Sequence, residues 1–234
     1  VIDWTGSAKV KDILYRLADR VKRTMNITSC PSVRVTSTGL SQDYSAENDI
    51  LCREQYLSFS SYNTMIYSSQ HNKTHFDAKT KQTYKIPSCF YALLDHLYVD
   101  KNISITEPVA NIDKGIIRTS NLKLSHELYS DDIETLRKLQ INCIVTDGSD
   151  NYFIDQLTAY KKSSKLSLGN VVKTLQFIQT ILPKKLKKYL QKKETDAALT
   201  SNVLNDVQEV LKPYKSSTNS DDSIFKDVSI NPSF

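Results

Sequence analysis

His71 and His75 stand four residues apart in this 234-residue chain, an interval that on a helix would turn both rings to one face and could hold a metal ion. Both lie in a polar stretch with no third ligand type close by, so no metal site is expected there. His96 follows Asp95, but adjacent helical residues point apart, which rules out a dyad. His126-Glu127 precedes a helix start and reads as surface. The cysteines Cys30, Cys52, Cys89 and Cys143 form no CxxC pair, and the closest two have 21 residues between them. Zinc sites use closely spaced ligand pairs, so four reduced, partly buried thiols are expected instead. Asp147-Gly148-Ser149-Asp150 follows a strand, where α/β sheets often bind ligands, although Asp and Gly suit a simple turn equally. The only glycines are Gly6, Gly39, Gly115, Gly148 and Gly169. No GxGxxG, GxxxxGK or GxSxG can be built from them, which excludes nucleotide loops and the nucleophile elbow. The chain is therefore not expected to be an enzyme, and no catalytic residue, metal or cofactor is assigned. A hydrolase using Asp147 or Asp150 is the third-ranked alternative.

Charge is the stronger signal. Lysine and arginine number 31 against 26 acids, a net +5, yet Lys161 to Lys193 holds ten lysines and no acid. That tract is +10 and the remainder −5, so one basic segment sits on a mildly acidic body. Such a segment meets nucleic acid, meets an acidic protein surface, or is a solvated helix face. Phe177 and Tyr189 are its only aromatic residues, and no nucleic-acid motif accompanies it.

The elements that carry these residues follow from periodicity and caps. Val10, Ile13, Leu14, Leu17 and Val21 recur at helical spacing behind Thr5 or Ser7. Ser32–Thr38 alternates like a strand, and 41–48 is polar and turn-like. A helix is predicted over Ala46–Phe59. Tyr62–Tyr67 and Gln82–Ile86 read as the two arms of a hairpin around a polar 71–81. Pro87-Ser88 opens a helix with Phe90, Leu93, Leu94, Leu97 and Tyr98 as its buried stripe. Residues 102–115 read as extended. Ser130-Asp131-Asp132 caps a helix, Ile141–Thr146 is a strand, and Tyr152–Tyr160 another. From Ser167 a long helix is predicted, kinked or split at Pro183, followed by one from Thr195 to Leu211. Lys215–Asp222 is a polar linker and Ile224–Ile230 a short strand. Strands mixed with helices, and helices dominating the C-terminal half, give an α+β or α/β class. No apolar run approaches the ~18 residues of a membrane span and no signal peptide opens the chain, so a soluble protein is expected. The first residue is Val1, which predicts an internal fragment or a processed product.

In order, these segments resemble the tail sheath protein of contractile-tailed bacteriophages. Ser60-Ser-Tyr-Asn-Thr-Met-Ile-Tyr-Ser, a polar hairpin and Tyr84-Lys-Ile-Pro-Ser88 are similar to the family's "S-x-Y-A-A-x-Y-Y-P" and "V-P-P-S". Glu107-Pro-Val-Ala-Asn111 with Gly115 is similar to "A-P-A-N" and its glycine. Leu139-Gln-Ile-Asn-Cys-Ile-Val145 resembles "G-I-N-x-I". Lys165–Lys173 resembles "L-x-x-V-N-V-R-R-L" at the start of the long C-terminal helix. The order agrees over Ala46 to Leu211. The family's glycine-rich strand with tryptophan is replaced by Thr146–Phe153, and its double arginine by Val172-Lys173, as in a divergent member.

The resemblance implies a mixed sheet flanked by helices, with 1–214 as the core domain and 1–88 and 89–214 as two lobes in a finer division. Residues 215–234 form the linker and terminal strand. It implies a structural protomer that polymerises in rings of six around a tail tube. Contraction drives the tube through the host envelope for genome ejection, without cofactor or catalysis. Partners would be other protomers, the tube protein, and baseplate and terminator proteins, with no nucleic acid and no membrane insertion. The protein would reside in the virion after assembly in the host cytoplasm. Lys184, Lys187, Lys188 and Lys192 would face the tube, and Ile224, Phe225, Val228 and Ile230 would form an inter-subunit strand. The alternatives are a basic nucleic-acid-binding protein using Lys161–Lys193 and the sheath of a phage-derived bacteriocin or injection system.

Overall fold

The structure is a computed structural model and describes residues 13, 16, 17, 20, 21, 24–119, 122–189 and 196–214. It divides into two compact units, Val1–Val172 and Lys173–Phe234. The class is mixed α and β. At the centre of the first unit lie three short parallel strands in the order β1-β4-β7: β1 (Asn26–Ser29), β4 (Thr64–Tyr67) and β7 (Ile141–Asn142). Ile27 lies opposite Met65, and Ile66 opposite Ile141. All four residues of β4 are buried, as a parallel strand covered on both faces must be.

Side chains alternate along a strand, so β4 feeds two cores. Met65 and Tyr67 join Cys89, Ala92 and Val99 of helix α2 (Ser88–Asn102). Ile66 joins Cys52 of helix α1 (Ala46–Gln55) and Leu136 of helix α4 (Ser130–Lys138). Helix α1 starts where its sequence says. The Ser45 hydroxyl accepts the Asn48 N–H at 3.2 Å, and Asp43 accepts the Ser45 N–H at 3.0 Å.

Three antiparallel ladders surround this layer: β2 (Val33–Thr36) with β3 (Gly39–Gln42), β5 (His71–Asp77) with β6 (Gln82–Pro87), and β8 (Ile144–Asp147) with β9 (Asp150–Phe153). They revise two sequence expectations. Residues 39–42 are a returning strand, not the start of a polar turn region. The hairpin partner of β6 is β5, the stretch read as polar, while β4 pairs in parallel with β1 and β7. The cause is solvation: the outer half of the β5–β6 hairpin stands in water, with Phe76, Gln82, Thr83, Tyr84 and Lys85 exposed. Polar composition costs nothing there and carries no pairing information. A helical turn, α3 (Asn111–Lys114), also interrupts the stretch read as extended, with Asn111 at φ 64°.

Buried amides stitch the layer where strands are too short to do so. Asn142 is fully buried; its Nδ2 donates to the Ile66 carbonyl at 3.0 Å and to Leu157 at 2.8 Å, and its Oδ1 accepts the Leu157 N–H at 2.6 Å. Gln70 pairs with both backbone groups of Ile144, at 2.8 and 2.9 Å, extending the β8 ladder by a side chain. Gln156 accepts the Val109 N–H at 2.8 Å. Three of the motifs that carry the resemblance thus hold these joints.

Gly115 sits inside the same joint, where its carbonyl accepts the Phe153 N–H at 3.0 Å. A Cβ there would lie 2.7 Å from the Phe153 carbonyl oxygen and 2.8 and 2.9 Å from Ala110 backbone carbons. Backbone cannot yield as a side-chain end can, so Gly115→Ala is expected to destabilise the fold by ~2–4 kcal/mol. Urea unfolding checks this; an unchanged midpoint would show that the joint is slack.

Helix α5 (Gly169–Leu186) opens in the first unit and runs into the second, continuous through Pro183 rather than split there. The second unit adds α6 (Asp196–Leu211), with Leu199, Val203, Leu204 and Val207 half-buried and Val210 and Leu211 buried. Single 3₁₀ turns follow α5 at Lys187–Tyr189 and α6 at Lys212–Tyr214. Among the described residues no helix is long and apolar enough to cross a membrane.

Candidate interaction surfaces

The groups that could do chemistry are dispersed. Among the described residues, no group of three His, Cys, Asp or Glu could hold a metal ion. All four cysteines are free and buried, and burial pushes the Cys143 thiol up to about 12. His71 lies in β5 with its ring 4.5 Å from that of Tyr44, and burial lowers its pKa. His75 lies in the same strand, opposite Tyr84. His96 is buried, with Nε2 3.2 Å from the Tyr67 hydroxyl and Nδ1 3.5 Å from Gln156 Nε2. His126 is half-buried rather than a surface residue, its Nδ1 2.9 Å from the Ser125 hydroxyl. Burial, then His71 and Lys73, bring its pKa down to about 4. Asp147 and Asp150 pair across the tip of the β8–β9 hairpin, and Gly148 at φ 60° supplies the turn.

Sequence reasoning passed over two buried charges on α1. Asp49 is fully buried and both of its oxygens accept the Ser69 N–H at 3.0 Å. Burial pushes its pKa up to about 7. Arg53 is 2% exposed. Its guanidinium donates to the carbonyls of Leu139 at 3.0 Å, Phe59 at 3.0 Å, Ala159 at 3.3 Å and Leu57. No sequence signal separates these residues from the exposed Glu47 and Glu54 beside them.

Two clefts among the described residues are lined by no histidine. One of about 320 Å³ lies between the C-terminal ends of α1 and α4, lined by Arg53, Glu54, Lys138, Leu139, Gln140 and Lys161. Another of about 220 Å³ is of mixed polarity, with Leu124, Leu128, Ile133 and Val145 beside Glu127 and Thr146 in its wall. Both are surface grooves rather than enclosed reaction sites.

The basic tract is divided by the structure. Lys161 donates to the Ser58 carbonyl at 2.6 Å, and Lys173 is buried. Lys184, Lys185, Lys187 and Lys188 are exposed while Leu182, Leu186 and Tyr189 are half-buried, the helical-face split expected from spacing. Two of these lysines meet acids of α6: Lys185 reaches Glu209 at 2.7 Å and Lys188 reaches Asp206 at 2.6 Å. The Tyr189 hydroxyl donates to the same Asp206 at 2.7 Å. Among the described residues, Lys184 and Lys187 form no ion pair. Lys192 and the strand candidates Ile224, Phe225, Val228 and Ile230 lie outside the described residues.

No protein-family model matches the sequence, and no curated protein matches it. Solved structures do. The chain superposes on a chain of the contracted PVC sheath complex, from an extracellular contractile injection system, with a TM-score of 0.59 over 80% of its length and 14% identity. The chain has the fold of a contractile sheath protein. The anti-feeding prophage gives two further likenesses. One is in its baseplate, with TM-score 0.54, 12% identity and 66% of this chain, and one in its contracted helical sheath, with TM-score 0.51, 13% identity and 66% of this chain. The chain spans 47%, 39% and 40% of the length of these three matched chains.

Proposed function

We propose that this chain is the core of a sheath protomer in a contractile tail or injection machine, and that it polymerises around a rigid tube. The observation that carries the reading is the sheath fold over 80% of the chain. Contraction repacks interfaces in this reading, and no reaction is catalysed. In this reading the partners are further copies of the chain, the tube, and the proteins that close the two ends of the tail. The location is the tail of a phage particle or of a related injection machine. Ile224–Ile230 would link neighbouring protomers by adding a strand to a sheet. Antibodies against this chain, gold-labelled, should decorate contractile tubular particles along their length when those are purified from the encoding source. Purified tubular particles without label would sink the reading.

Lys184 and Lys187, with Lys188 and Lys192, would rest on the tube. Exposed ion pairs are worth about 0–1 kcal/mol each and are screened by salt, so many of them can set register and still release on firing. Lys184→Glu with Lys187→Glu should leave the melting temperature unchanged, because both side chains are exposed and neither has an ion partner to lose among the described residues. The fraction of particles in the extended form should fall. Reversal of Lys188 is a poorer probe, since it also breaks the Asp206 pair. Normal extended particles from the double variant would mean that the lysines face solvent.

A further inference from the structure

The cleft of about 220 Å³ between the 124–128 segment, α4 and β8 is the size of one aromatic ring. Five aliphatic side chains form its walls, among them Leu128, Ile133 and Val145, and Glu127 and Thr146 are its polar part. A cavity of about 150 Å³ lined by such side chains holds one benzene, so this cleft has room for a single ring and not for two. Acids surround it. Residues 127–134 carry Glu127, Asp131, Asp132 and Glu134 and no base, a net −4. Lys138 pairs with Glu134 at 2.8 Å. Glu127 and Asp131 are exposed and have no ion partner among the described residues. The occupant that fits is one apolar ring flanked by cations.

The outer half of the β5–β6 hairpin presents such a ring. Phe76 is 57% exposed there. Thr83 lies opposite it, and alternation puts Lys85 on the same side. Residues 76–85 carry three lysines and one acid, a net +2. That acid, Asp77, accepts the Lys79 N–H at 2.9 Å and the Thr80 hydroxyl at 2.8 Å within the turn. Lys79 and Lys81 are exposed and have no ion partner among the described residues. The root of the hairpin adjoins the cleft, since Asn72 pairs with Leu124. Phe76 stands about 13 Å farther out along β5, and its exposure shows that it does not fill the cleft of its own chain. Other exposed rings fit less well. Tyr129, 80% exposed, lies among the very acids that flank the cleft, so like charges would meet. The Tyr84 hydroxyl is held by Thr80 and Gln82 at 3.2 and 3.0 Å. Phe90, Leu94, Leu97 and Tyr98 are exposed, not buried as the stripe expected on α2, but they form one helix face, with Arg118 over the Tyr98 ring at 4.1 Å.

We propose that Phe76 of one copy of this chain inserts into the cleft beside Glu127 of the next copy, with the hairpin lysines against Glu127 and Asp131. That a second copy is the occupant rests on the sheath reading. Ring and cleft are different faces of the chain, so the contact is head-to-tail and closes a ring or climbs a helix, whereas a two-fold contact stops at a dimer. One inserted side chain and its flanking charges bury far less than the ~1,200–2,000 Å² of a stable isolated pair, so the contact is weak between free chains and is reinforced by repetition.

Two variants of the intact chain with one added cysteine test this: Thr83→Cys beside Phe76 and Thr146→Cys in the cleft wall. Both sites are exposed, and the four native cysteines are buried. Mixed at the highest soluble concentration with a short bismaleimide, they should give a covalent dimer in clear excess over either variant alone. Mixing separate copies excludes cross-linking within one chain. Phe76→Ser on the Thr83→Cys copy should cut the mixed product about tenfold, because the ring that fills the cleft is gone. Glu127→Lys on the Thr146→Cys copy should cut it about threefold, as loss of an exposed ion pair does. Unchanged melting curves check that the variants fold. Equal yields in the single-variant samples, no dimer in any, or a mixed dimer indifferent to Phe76→Ser overturn the proposal. An excess of the Thr146→Cys dimer over the mixed one also overturns it, in favour of a two-fold contact through Tyr129. Particle labelling decides the sheath reading separately. Labelled particles without the mixed cross-link overturn the docking alone; the mixed cross-link without labelled particles leaves the docking standing and sinks the sheath reading.

Discussion

Arg53→Met should lower the unfolding free energy by ~3–5 kcal/mol, the largest expected effect of any single change here. Arg53 sits in the last turn of α1, buried, with four backbone carbonyls as acceptors and, among the described residues, no carboxylate. Two of those carbonyls follow the end of α1 (Leu57 and Phe59) and one caps α4 (Leu139). Helix C-termini carry partial negative charge, so two of them together act as the counter-ion of the guanidinium. Burial lowers the Arg53 pKa, but a guanidinium stays charged. Methionine fills similar volume and offers these acceptors no donor; the Ala159 carbonyl keeps the Ser61 N–H at 3.2 Å. Arg53→Lys should fall between the two, because one ammonium cannot span four acceptors. Chemical denaturation measures all three, and a methionine variant as stable as the parent would remove Arg53 from the account of how α1, α4 and the 157–159 segment are joined.

The second large effect is on pH dependence. The folded pKa of Asp49, about 7, lies well above the unfolded carboxyl value of about 4. Between these values the folded chain keeps a proton that the unfolded chain releases. Stability is therefore undiminished below pH ~4, falls as pH rises through the window, and reaches its full loss above pH ~7, roughly 4 kcal/mol in total. Asp95, raised to about 6 by burial against the pull of Arg118, acts with the same sign. His126 acts oppositely. Its folded pKa of about 4 is below the unfolded value, so it costs stability as pH falls from ~6.5 towards 4. The parent's profile is a sum of these slopes, and only a difference isolates one of them. The stability of Asp49→Asn minus that of the parent should grow by about 4 kcal/mol between pH 4 and pH 8, since an amide can still accept the Ser69 N–H without carrying charge. Parallel profiles for the two proteins would show that folding does not raise the Asp49 pKa.

What the sequence determined by itself is what neighbouring residues decide among themselves. The start of α1 at Ala46 follows from Ser45 and Asp43, and the start of α2 after Pro87 from the φ of proline. The inward stripe of α6 and the outward Lys184, Lys187 and Lys188 follow from the 3.6-residue period. Each of these rests on backbone bonds or caps that close within a few residues. The motif order that resembles the sheath family was legible in the sequence itself, and within those motifs Gly115 and Asn142 sit in tightly packed joints.

Tertiary structure decided whatever depends on a partner far along the chain. The pairing of β4 with β1 and β7 could not be read from Thr64–Tyr67, because a short apolar strand suits either a hairpin or a parallel sheet. The polar composition of His71–Asp77 concealed a strand that needs no burial. Asp49 and Arg53 look like ordinary surface residues of a polar helix until Ser69, Leu139 and Ala159 are brought against them from up to 106 residues away. Helix α2 shows the same limit most plainly. Apolar residues surround it, so hydrophobicity alone could not choose an inner face. The fold turns Asp95 and His96 inward, where His96 meets the Tyr67 hydroxyl and one Asp95 oxygen meets Arg118, and leaves Phe90, Leu94, Leu97 and Tyr98 facing outward.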